Sequence, residues 1–451
     1  MRNKNGRQGR AMAIIKSISR ARVLLCTTAV AALLAACSEE EVILRGERED
    51  IRPDAAVEII NQSRAISLPQ QAANASWEQG HGAEAGRTAH PALAAAPQRI
   101  WSASIGSGDS RRQRITATPV VGGGRIYTLD SAARVSAVSP QGQLLWQSEL
   151  IPAADDEGQA TGGGLAFADG VLYVSSGFGV LTALNAADGN LIWRQELDAT
   201  GSGQPRVSGG LVYLVAGDDT GWAVNTKDGR IAWQIDAAPS PANVLGAPAP
   251  VVTNDLAVFA FGSGDLIATF RRGGLRRWSA SVAGKRTGQT LSRISDVTGA
   301  PVVSGNRLYA GNNSGRTVAI DLETGDRLWT AREGASGTAW PAGGSLFQVS
   351  DLNQLLRLDA SSGEVIWAVD LPGYLKDKPR KRGQIHVHHG PVVAGGQVVL
   401  ASNDGLLRFF NPVDGSLSRT AEVPGGATTA PVVAGRTLYV VSTKGDLLAY
   451  R

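Results

Sequence analysis

Cysteine is almost missing from this sequence. Only Cys26 and Cys37 occur among 451 residues, so the chain beyond residue 37 contains no disulfide, no thiol nucleophile and no thiolate metal ligand. Aromatic residues make up only 6% of the chain and charged residues only 19%, whereas glycine occurs 55 times. This composition is typical of a globular β protein with many turns.

An excess of positive charge is also lacking once the N-terminus is set aside. Seven of the 44 basic residues lie in residues 1–37, which contain no acid, so the remainder carries 37 basic against 40 acidic residues. This balance argues against a nucleic-acid partner. The one basic run, Lys376 to Arg382, is consistent with either a solvated loop or a binding patch.

What the chain has instead is a repeated unit that ends in Gly-x-x-x-Trp. The tryptophans of successive copies lie 38 to 51 residues apart, which is room for four short strands and their turns, the period of a propeller blade. A seventh copy keeps Gly415 but has Arg419 in place of the tryptophan. Because the tryptophans share one position in the repeat, we predict that they pack between blades. They are Trp146, Trp193, Trp233, Trp278, Trp329 and Trp367.

The last copy of the repeat determines the number of blades. It begins at Pro431 and ends at Arg451, with room for three strands, while Gln98 to Ala103 resembles the fourth strand of a repeat that has no beginning. Joining the two would close the ring and remove its exposed edge. The sequence therefore predicts an all-β fold, an eight-bladed β-propeller of four-stranded antiparallel blades, over residues 98–451, closed by an N-terminal strand.

The N-terminus predicts export and lipid anchoring. Basic residues up to Arg22 precede a short apolar stretch, Val23 to Leu33, as in a secretory signal. The stretch ends in Leu34-Ala35-Ala36-Cys37, which resembles the bacterial lipoprotein signal, so residues 1–36 are predicted to be a signal peptide and Cys37 the lipidation site. Residues 37–97 have few large apolar residues and are predicted to be a lipid anchor and flexible tether.

The anchor, the tether and the repeats together resemble the BamB family of propeller lipoproteins, in its alphaproteobacterial form. The likeness lies in tether motifs such as Trp77-Glu78-Gln79-Gly80 and in the repeat Asp321-x-x-Thr324-Gly325-x-x-x-Trp329. The resemblance implies a non-catalytic scaffold of the outer-membrane β-barrel assembly (BAM) complex, anchored by lipid to the periplasmic face of the outer membrane. It implies docking on the POTRA domains of the BamA-like barrel subunit, beside other assembly lipoproteins, to support insertion of outer-membrane proteins.

The resemblance also implies which loops bind the partner. An acidic family motif before a Pro-Val-Val strand is matched by residues 292–298, where Asp296 occupies the first acidic position but Thr298 the second. In the neighbouring loop Val244 keeps an apolar contact and Leu245 replaces an arginine of enterobacterial relatives. We therefore expect Val244, Leu245, Arg293 and Asp296 to bind the partner. For Asp296 the alternative is a turn aspartate that accepts backbone N–H bonds.

Two further groups of residues are compatible with more than one role. His386 and His388 would point to one face of a strand, where they could share a metal ion or form a hydrogen-bonded pair facing the central channel. Trp222 and Trp340 fall outside the register of the repeat and are either core residues or surface anchors. We expect no metal, no cofactor and no catalytic residue.

Two other functions remain compatible with the repeat. One is a quinoprotein dehydrogenase, because enzymes that use pyrroloquinoline quinone (PQQ) resemble this chain in their repeat and their eight-bladed ring. The sequence lacks the vicinal disulfide of many such enzymes and shows no inserted cluster of acids and amides for calcium. The other is a propeller adaptor of another envelope complex. The sequence contains no small-molecule or nucleotide motif that would support either of these functions.

Overall fold

The computed structural model describes residues 59–80, 88–199, 203–238, 247–282, 284, 286, 296–376 and 378–451. These residues belong to the unit Ile59–Arg451 and form eight antiparallel sheets of four strands each. The predicted eight-bladed propeller is therefore confirmed. Within the described part of the chain there is a 3₁₀ turn at Pro379–Lys381 but no helix with the length and apolar character needed to cross a bilayer.

Each blade is a meander whose first strand lies innermost and whose fourth lies outermost. In the first four blades the strands are β2 Val120–Gly122, β3 Arg125–Leu129, β4 Arg134–Val138, β5 Leu144–Glu149; β6 Gly163–Ala168, β7 Val171–Ser176, β8 Val180–Asn185, β9 Leu191–Glu196; β10 Arg206–Ser208, β11 Leu211–Val215, β12 Thr220–Asn225, β13 Ile231–Asp236; β14 Val251–Val252, β15 Leu256–Ala260, β16 Asp265–Phe270, β17 Arg276–Ser281.

The remaining blades follow the same order, and the eighth takes its fourth strand from the start of the propeller. The strands are β18 Val302–Ser304, β19 Arg307–Asn312, β20 Arg316–Asp321, β21 Arg327–Ala331; β22 Trp340–Ala342, β23 Ser345–Val349, β24 Gln354–Asp359, β25 Val365–Asp370; β26 His388–Ala394, β27 Gln397–Ser402, β28 Leu406–Phe410, β29 Leu417–Glu422; β30 Val432–Ala434, β31 Thr437–Val441, β32 Asp446–Tyr450 and β1 Arg99–Ser104.

The ring closes as the sequence predicts. Strand β1 pairs antiparallel with β32, the last strand of the chain, with Trp101 opposite Ala449. The backbone of Gln98 also exchanges two hydrogen bonds with that of Arg451, at 2.8 and 2.9 Å. The first and last strands are thereby held in one sheet, so the eighth blade leaves no unpaired edge where the ring joins.

The Gly-x-x-x-Trp motif joins neighbouring blades. Each indole N–H donates to a backbone carbonyl of the next blade at 2.9–3.2 Å, and Trp101 of β1 does the same. The glycine of that next blade lies under the ring with φ between 70° and 85°, and an added Cβ would come within 2.5–2.9 Å of an indole atom. Glycine is needed there both for its backbone angle and for the close approach. The predicted packing of the tryptophans between blades is confirmed.

Arg419 replaces tryptophan where the next blade has no such glycine. The turn between the third and fourth strands of the eighth blade is split between the two ends of the propeller, at Arg451 and Gln98. The guanidinium of Arg419 instead donates to the carbonyls of Ala95 and Pro97 at 3.3 and 3.4 Å. It also lies 4.9 Å from the ring centre of Phe409, in a cation–π contact.

The structure differs from the predicted domain boundary at residue 98. Residues 59–80, called the strap below, pack along the ring, and Trp77 of the strap is only 8% exposed. The Trp77 backbone exchanges two 2.8 Å hydrogen bonds with Val121 of the first blade, and its ring stacks on Trp340 of the sixth. These blades are not neighbours in a ring of eight, so the aromatic pair bridges the centre of the ring. The described residues of the predicted tether, 59–80 and 88–97, are therefore part of the propeller unit.

Two buried arginines hold the two ends of the strap. Arg357 is 2% exposed and donates to the carbonyls of Arg64 and Ala65, while Arg206 is 3% exposed and donates to the carbonyl of Gly80. Burial lowers the pKa of Arg357, and it lowers that of Arg206 to about 10. Because a buried cation needs hydrogen-bond acceptors, ordering of the strap and stability of the blades are coupled.

We predict that Gly189→Ala destabilises the protein more than Gly170→Ala does. Both glycines have positive φ, 76° and 78°, so both substitutions carry similar backbone strain. An added Cβ at Gly189 would lie 2.6 Å from Trp146, whereas at Gly170 nothing lies within 4 Å. We expect an additional loss of about 1–3 kcal/mol for Gly189→Ala, measured by urea unfolding. Equal losses would show that the indole contact does not require glycine.

Candidate functional site

The two faces of the propeller carry different turns and connections. One face carries the hairpin turns after the first and third strands of each blade, together with the strap, and we call it the turn face. The opposite face carries the connections from the outer strand of one blade to the inner strand of the next, and we call it the connection face. Loops on a rigid scaffold are the usual place for binding residues. The predicted partner residues belong to the connections after the third and fourth blades, and the strands that flank these connections end on the connection face.

The structure does not test the predicted partner residues as a set. Val244, Leu245 and Arg293 lie outside the described residues, as does the predicted lipidation site Cys37. Asp296 is described and is only 5% exposed, and its carbonyl accepts a long hydrogen bond of 3.4 Å from the Asn313 backbone. Its burial places it at the base of the loop rather than on its surface. Binding of a partner by these residues stays a prediction.

An arginine that sequence reasoning missed braces this part of the connection face. The guanidinium of Arg286 contacts both carboxylate oxygens of Asp351, at 2.7 and 3.1 Å, and one oxygen of Glu333 at 2.7 Å. Burial alone would lower the pKa of Arg286, but the two carboxylates outweigh it and raise that pKa. The brace connects the loop after the fourth blade to the fifth and sixth blades. No sequence pattern marks it, because its members lie in three separate loops.

A buried asparagine fixes the start of the same loop. Asn312 is fully buried; its amide donates to the carbonyls of Val282 and Gly284, and its side-chain oxygen accepts from the N–H groups of Ser314 and Arg316. The side-chain amide of Asn312 is therefore fully hydrogen-bonded within the protein. The turn and the brace fix the described start of the connection after the fourth blade, at Val282, Gly284 and Arg286.

A pocket of about 420 Å³ lies beside these loops, between the third and fourth blades. Its lining mixes acidic, basic and hydroxyl side chains with alanines. None of these lining residues is a cysteine or a histidine, and the charged and hydroxyl side chains give the pocket a polar surface. The lining residues are Asp236, Ala237, Ala238, Asp265, Ile267, Arg276, Ser279, Ala280 and Ser281.

The predicted histidine pair does not form. His388 is buried, with Nδ1 2.5 Å from the Ser402 hydroxyl and Nε2 2.9 Å from the Pro372 carbonyl, whereas His386 lies 3.4 Å from the Asn403 amide oxygen. Both histidines thus have other partners. Among the described residues no group of three or more His, Cys, Asp or Glu side chains is placed to hold a metal ion. His388 fixes the base of the loop that precedes the seventh blade.

Trp222 and Trp340 are core residues. Their exposed fractions are 2% and 1%, so the alternative of surface anchors is wrong. The Trp340 indole donates to the Ala89 carbonyl at 3.1 Å, next to its stacking contact with Trp77. Trp340 therefore packs against the strap on the turn face of the ring.

Comparison with known proteins agrees with this geometry. The family profile described as "Outer membrane protein assembly factor BamB" matches residues 131–369. The chain is 25% identical over 361 residues to a protein of that name from Yersinia pestis, covering 78% of this chain and 88% of the relative. The crystal structure of BamB from Moraxella catarrhalis superposes with a TM-score of 0.65 at 18% identity, covering 79% of this chain and 100% of that chain.

Enzymes with the same architecture are structural neighbours as well. Quinohemoprotein alcohol dehydrogenase from Comamonas testosteroni superposes with a TM-score of 0.59 at 15% identity, covering 83% of this chain and 80% of that chain. At such identity the likeness shows the fold alone. The fold and its repeat define an eight-bladed propeller of the PQQ-like class. Within that class the family profile matches more than half of the chain, and the chain belongs to the BamB family.

We predict that the protein loses stability on mild acidification because of His389, a partly buried residue of strand β26. Burial, with a smaller contribution from His388, lowers the pKa of His389 from 6.5 to about 4. The unfolded chain therefore binds a proton between these values that the folded chain does not, so stability falls as the pH falls from about 6.5 towards 4. The contribution of His389 is at most about 3 kcal/mol.

The measurement is urea unfolding between neutral pH and about pH 4.5, with His389→Gln as the matched variant. Carboxylates titrate alike in both proteins, so the difference between the two pH profiles isolates the histidine. The variant should show the flatter profile. Parallel profiles would contradict the assignment to His389.

Proposed function

We propose that this protein is a non-catalytic scaffold of outer-membrane protein assembly, which docks through its connection face on the POTRA domains of a BamA-like barrel subunit. The observation that carries the proposal is membership of a family described as outer membrane protein assembly factor, together with a rigid propeller. In this proposal Cys37 carries the lipid anchor at the periplasmic face of the outer membrane. Other assembly lipoproteins belong to the same complex.

The two faces support docking through the connection face. On the turn face, backbone groups near the ring centre are already bonded to the strap, as at Val121 and Phe167. On the connection face the loops vary in length between blades while Arg286 and Asn312 hold their bases. A partner can therefore bind there without disturbing the ring. Asp296, being buried, acts in this proposal by placing the loop, and Val244, Leu245 and Arg293 make the contact.

The rival function, a PQQ dehydrogenase, has less support. The propeller beyond residue 37 has no cysteine for a vicinal disulfide, and the curated relatives are named as assembly factors. The aromatic pair Trp77 and Trp340 packs between the strap and the sixth blade on the turn face. We therefore expect no catalytic residue, no cofactor and no small-molecule substrate.

We predict that the lipoprotein, used as bait in solubilised membranes, recovers the POTRA-containing barrel subunit, identified by mass spectrometry. Val244→Asp introduces a charge at an apolar position, and Arg293→Glu reverses a charge. Together they should reduce recovery of the barrel subunit about tenfold or more, as expected for central contact residues. Arg272→Glu, on the turn face of the fourth blade, is the matched control and should leave recovery unchanged.

Three results would contradict the proposal. Recovery of a different envelope complex without the barrel subunit would assign the propeller to another machinery. Oxidation of alcohols by the purified protein on addition of pyrroloquinoline quinone and calcium would support the enzyme instead. An equal loss of barrel-subunit recovery with the control Arg272→Glu would show that the effect of the loop substitutions does not come from the connection face.

A further inference from the structure

The connection between the sixth and seventh blades forms a hairpin with an unusual surface. Residues 372–387, called the basic hairpin below, expose four large apolar side chains by 42–50%. The hairpin also exposes every side chain of the basic run that the sequence singles out. The apolar residues are Tyr374, Leu375, Ile385 and Val387, and the basic residues are Lys376, Lys378, Arg380, Lys381 and Arg382.

Apart from Asp377, which lies outside the described residues, the basic hairpin is an ordered structure and not an unstructured loop. Tyr374 pairs antiparallel with Ile385, and the Leu375 N–H donates to the Gln384 carbonyl at 3.1 Å. The guanidinium carbon of Arg382 lies 4.9 Å from the ring centre of Tyr374. At its base His388 donates through Nε2 to the Pro372 carbonyl. The structure of the hairpin therefore keeps its apolar side chains exposed to solvent.

The charge of the basic hairpin contrasts with the rest of the protein. Five basic residues and one acid, Asp377, occur between residues 376 and 382, whereas the chain after residue 37 carries more acidic than basic residues overall. No described carboxylate forms a salt bridge with Lys376, Lys378, Arg380 or Lys381. Basic residues mixed with exposed aromatic and aliphatic side chains are the composition of segments that bind anionic bilayer surfaces.

The strap enters the propeller beside the basic hairpin. Asn61 bonds with both backbone groups of Ala368, and the Gln62 N–H donates to the Ile366 carbonyl, so the strap runs along β25 from its C-terminal end towards its start. Ile59 and the exposed Ile60 therefore lie towards the end of β25 from which the basic hairpin begins. Cys37, the predicted lipidation site, precedes Ile59 by 22 residues, which span at most about 75 Å.

We propose that the basic hairpin is a membrane-contact surface that binds the anionic head groups of a phospholipid bilayer and inserts Tyr374 and Leu375 at its interface. The basic side chains attract the surface over about a Debye length, and the apolar side chains lose water on contact. The hairpin lies on the connection face, so contact would orient that face relative to the bilayer. This surface is separate from the partner loops and binds independently of them.

The test uses the mature chain, residues 37–451, with Cys37→Ser, so that it depends neither on acylation nor on docking. A single Leu375→Cys substitution carries an environment-sensitive nitrobenzoxadiazole dye, and a second protein carries the dye through Leu275→Cys. Leu275 is 71% exposed in a turn-face hairpin of the fourth blade and serves as the matched position. Each protein is titrated with vesicles of phosphatidylcholine alone or with about one quarter phosphatidylglycerol.

We expect a blue shift of dye emission at position 375 with the phosphatidylglycerol vesicles, and none with phosphatidylcholine or at position 275. The shift should disappear at high salt and in a variant with Lys376→Gln, Lys378→Gln, Arg380→Gln and Lys381→Gln. An equal loss of charge on the third and fourth blades should leave the shift in place. That control carries Arg230→Gln, Arg272→Gln, Arg276→Gln and Arg277→Gln.

Absence of a shift at position 375 with anionic vesicles would overturn the proposal, as would an equal shift at position 275. A shift on addition of polyglutamate but not of vesicles would also overturn it, because the hairpin would then bind an acidic protein surface. Failure of the pull-down with the barrel subunit would leave this result untouched, since no partner protein is present in the vesicle experiment.

Discussion

The contact between an indole and the glycine of the following blade is the constraint on which the rest of the propeller depends. The contact needs a residue without Cβ at positive φ on one blade and a tryptophan on the outer strand of the previous blade, and it repeats around the ring. Each copy joins two sheets that could not bury their apolar faces alone. The spacing of Gly-x-x-x-Trp therefore indicates where neighbouring blades contact each other as well as how many blades there are.

The constraint also explains where the pattern breaks. In this ring the two ends of the chain meet in the eighth blade, so that blade has no continuous turn between its third and fourth strands. Arg419 fits this place because a guanidinium can reach the carbonyls of Ala95 and Pro97 and still lie against Phe409. The loss of tryptophan from the seventh copy thus follows from closure of the ring.

The sequence predicts the repeated part of the fold well and the unique part poorly. Blade number, closure by residues 98–103 and the packing of the tryptophans all follow from a pattern that recurs. The strap occurs once, and its composition resembles a flexible linker because its bonds to the blades are mostly made by its backbone, as at Trp77 and Gly80. Arg286 and its two carboxylates come from three distant loops, so no spacing in the sequence brings them together.

The two faces of the propeller also differ in how far their residues can change without disturbing the fold. The indole contacts fix the ring, and the strap occupies the turn face through the buried Arg206 and Arg357, whose charges require its carbonyls. Changes in that half of the molecule would disturb folding first. The connection face is under no such constraint, because its loops can lengthen or change composition while residues such as Asn312 and His388 hold their bases. The proposed partner loops and the basic hairpin can therefore coexist there on one rigid body, each changing independently of the other.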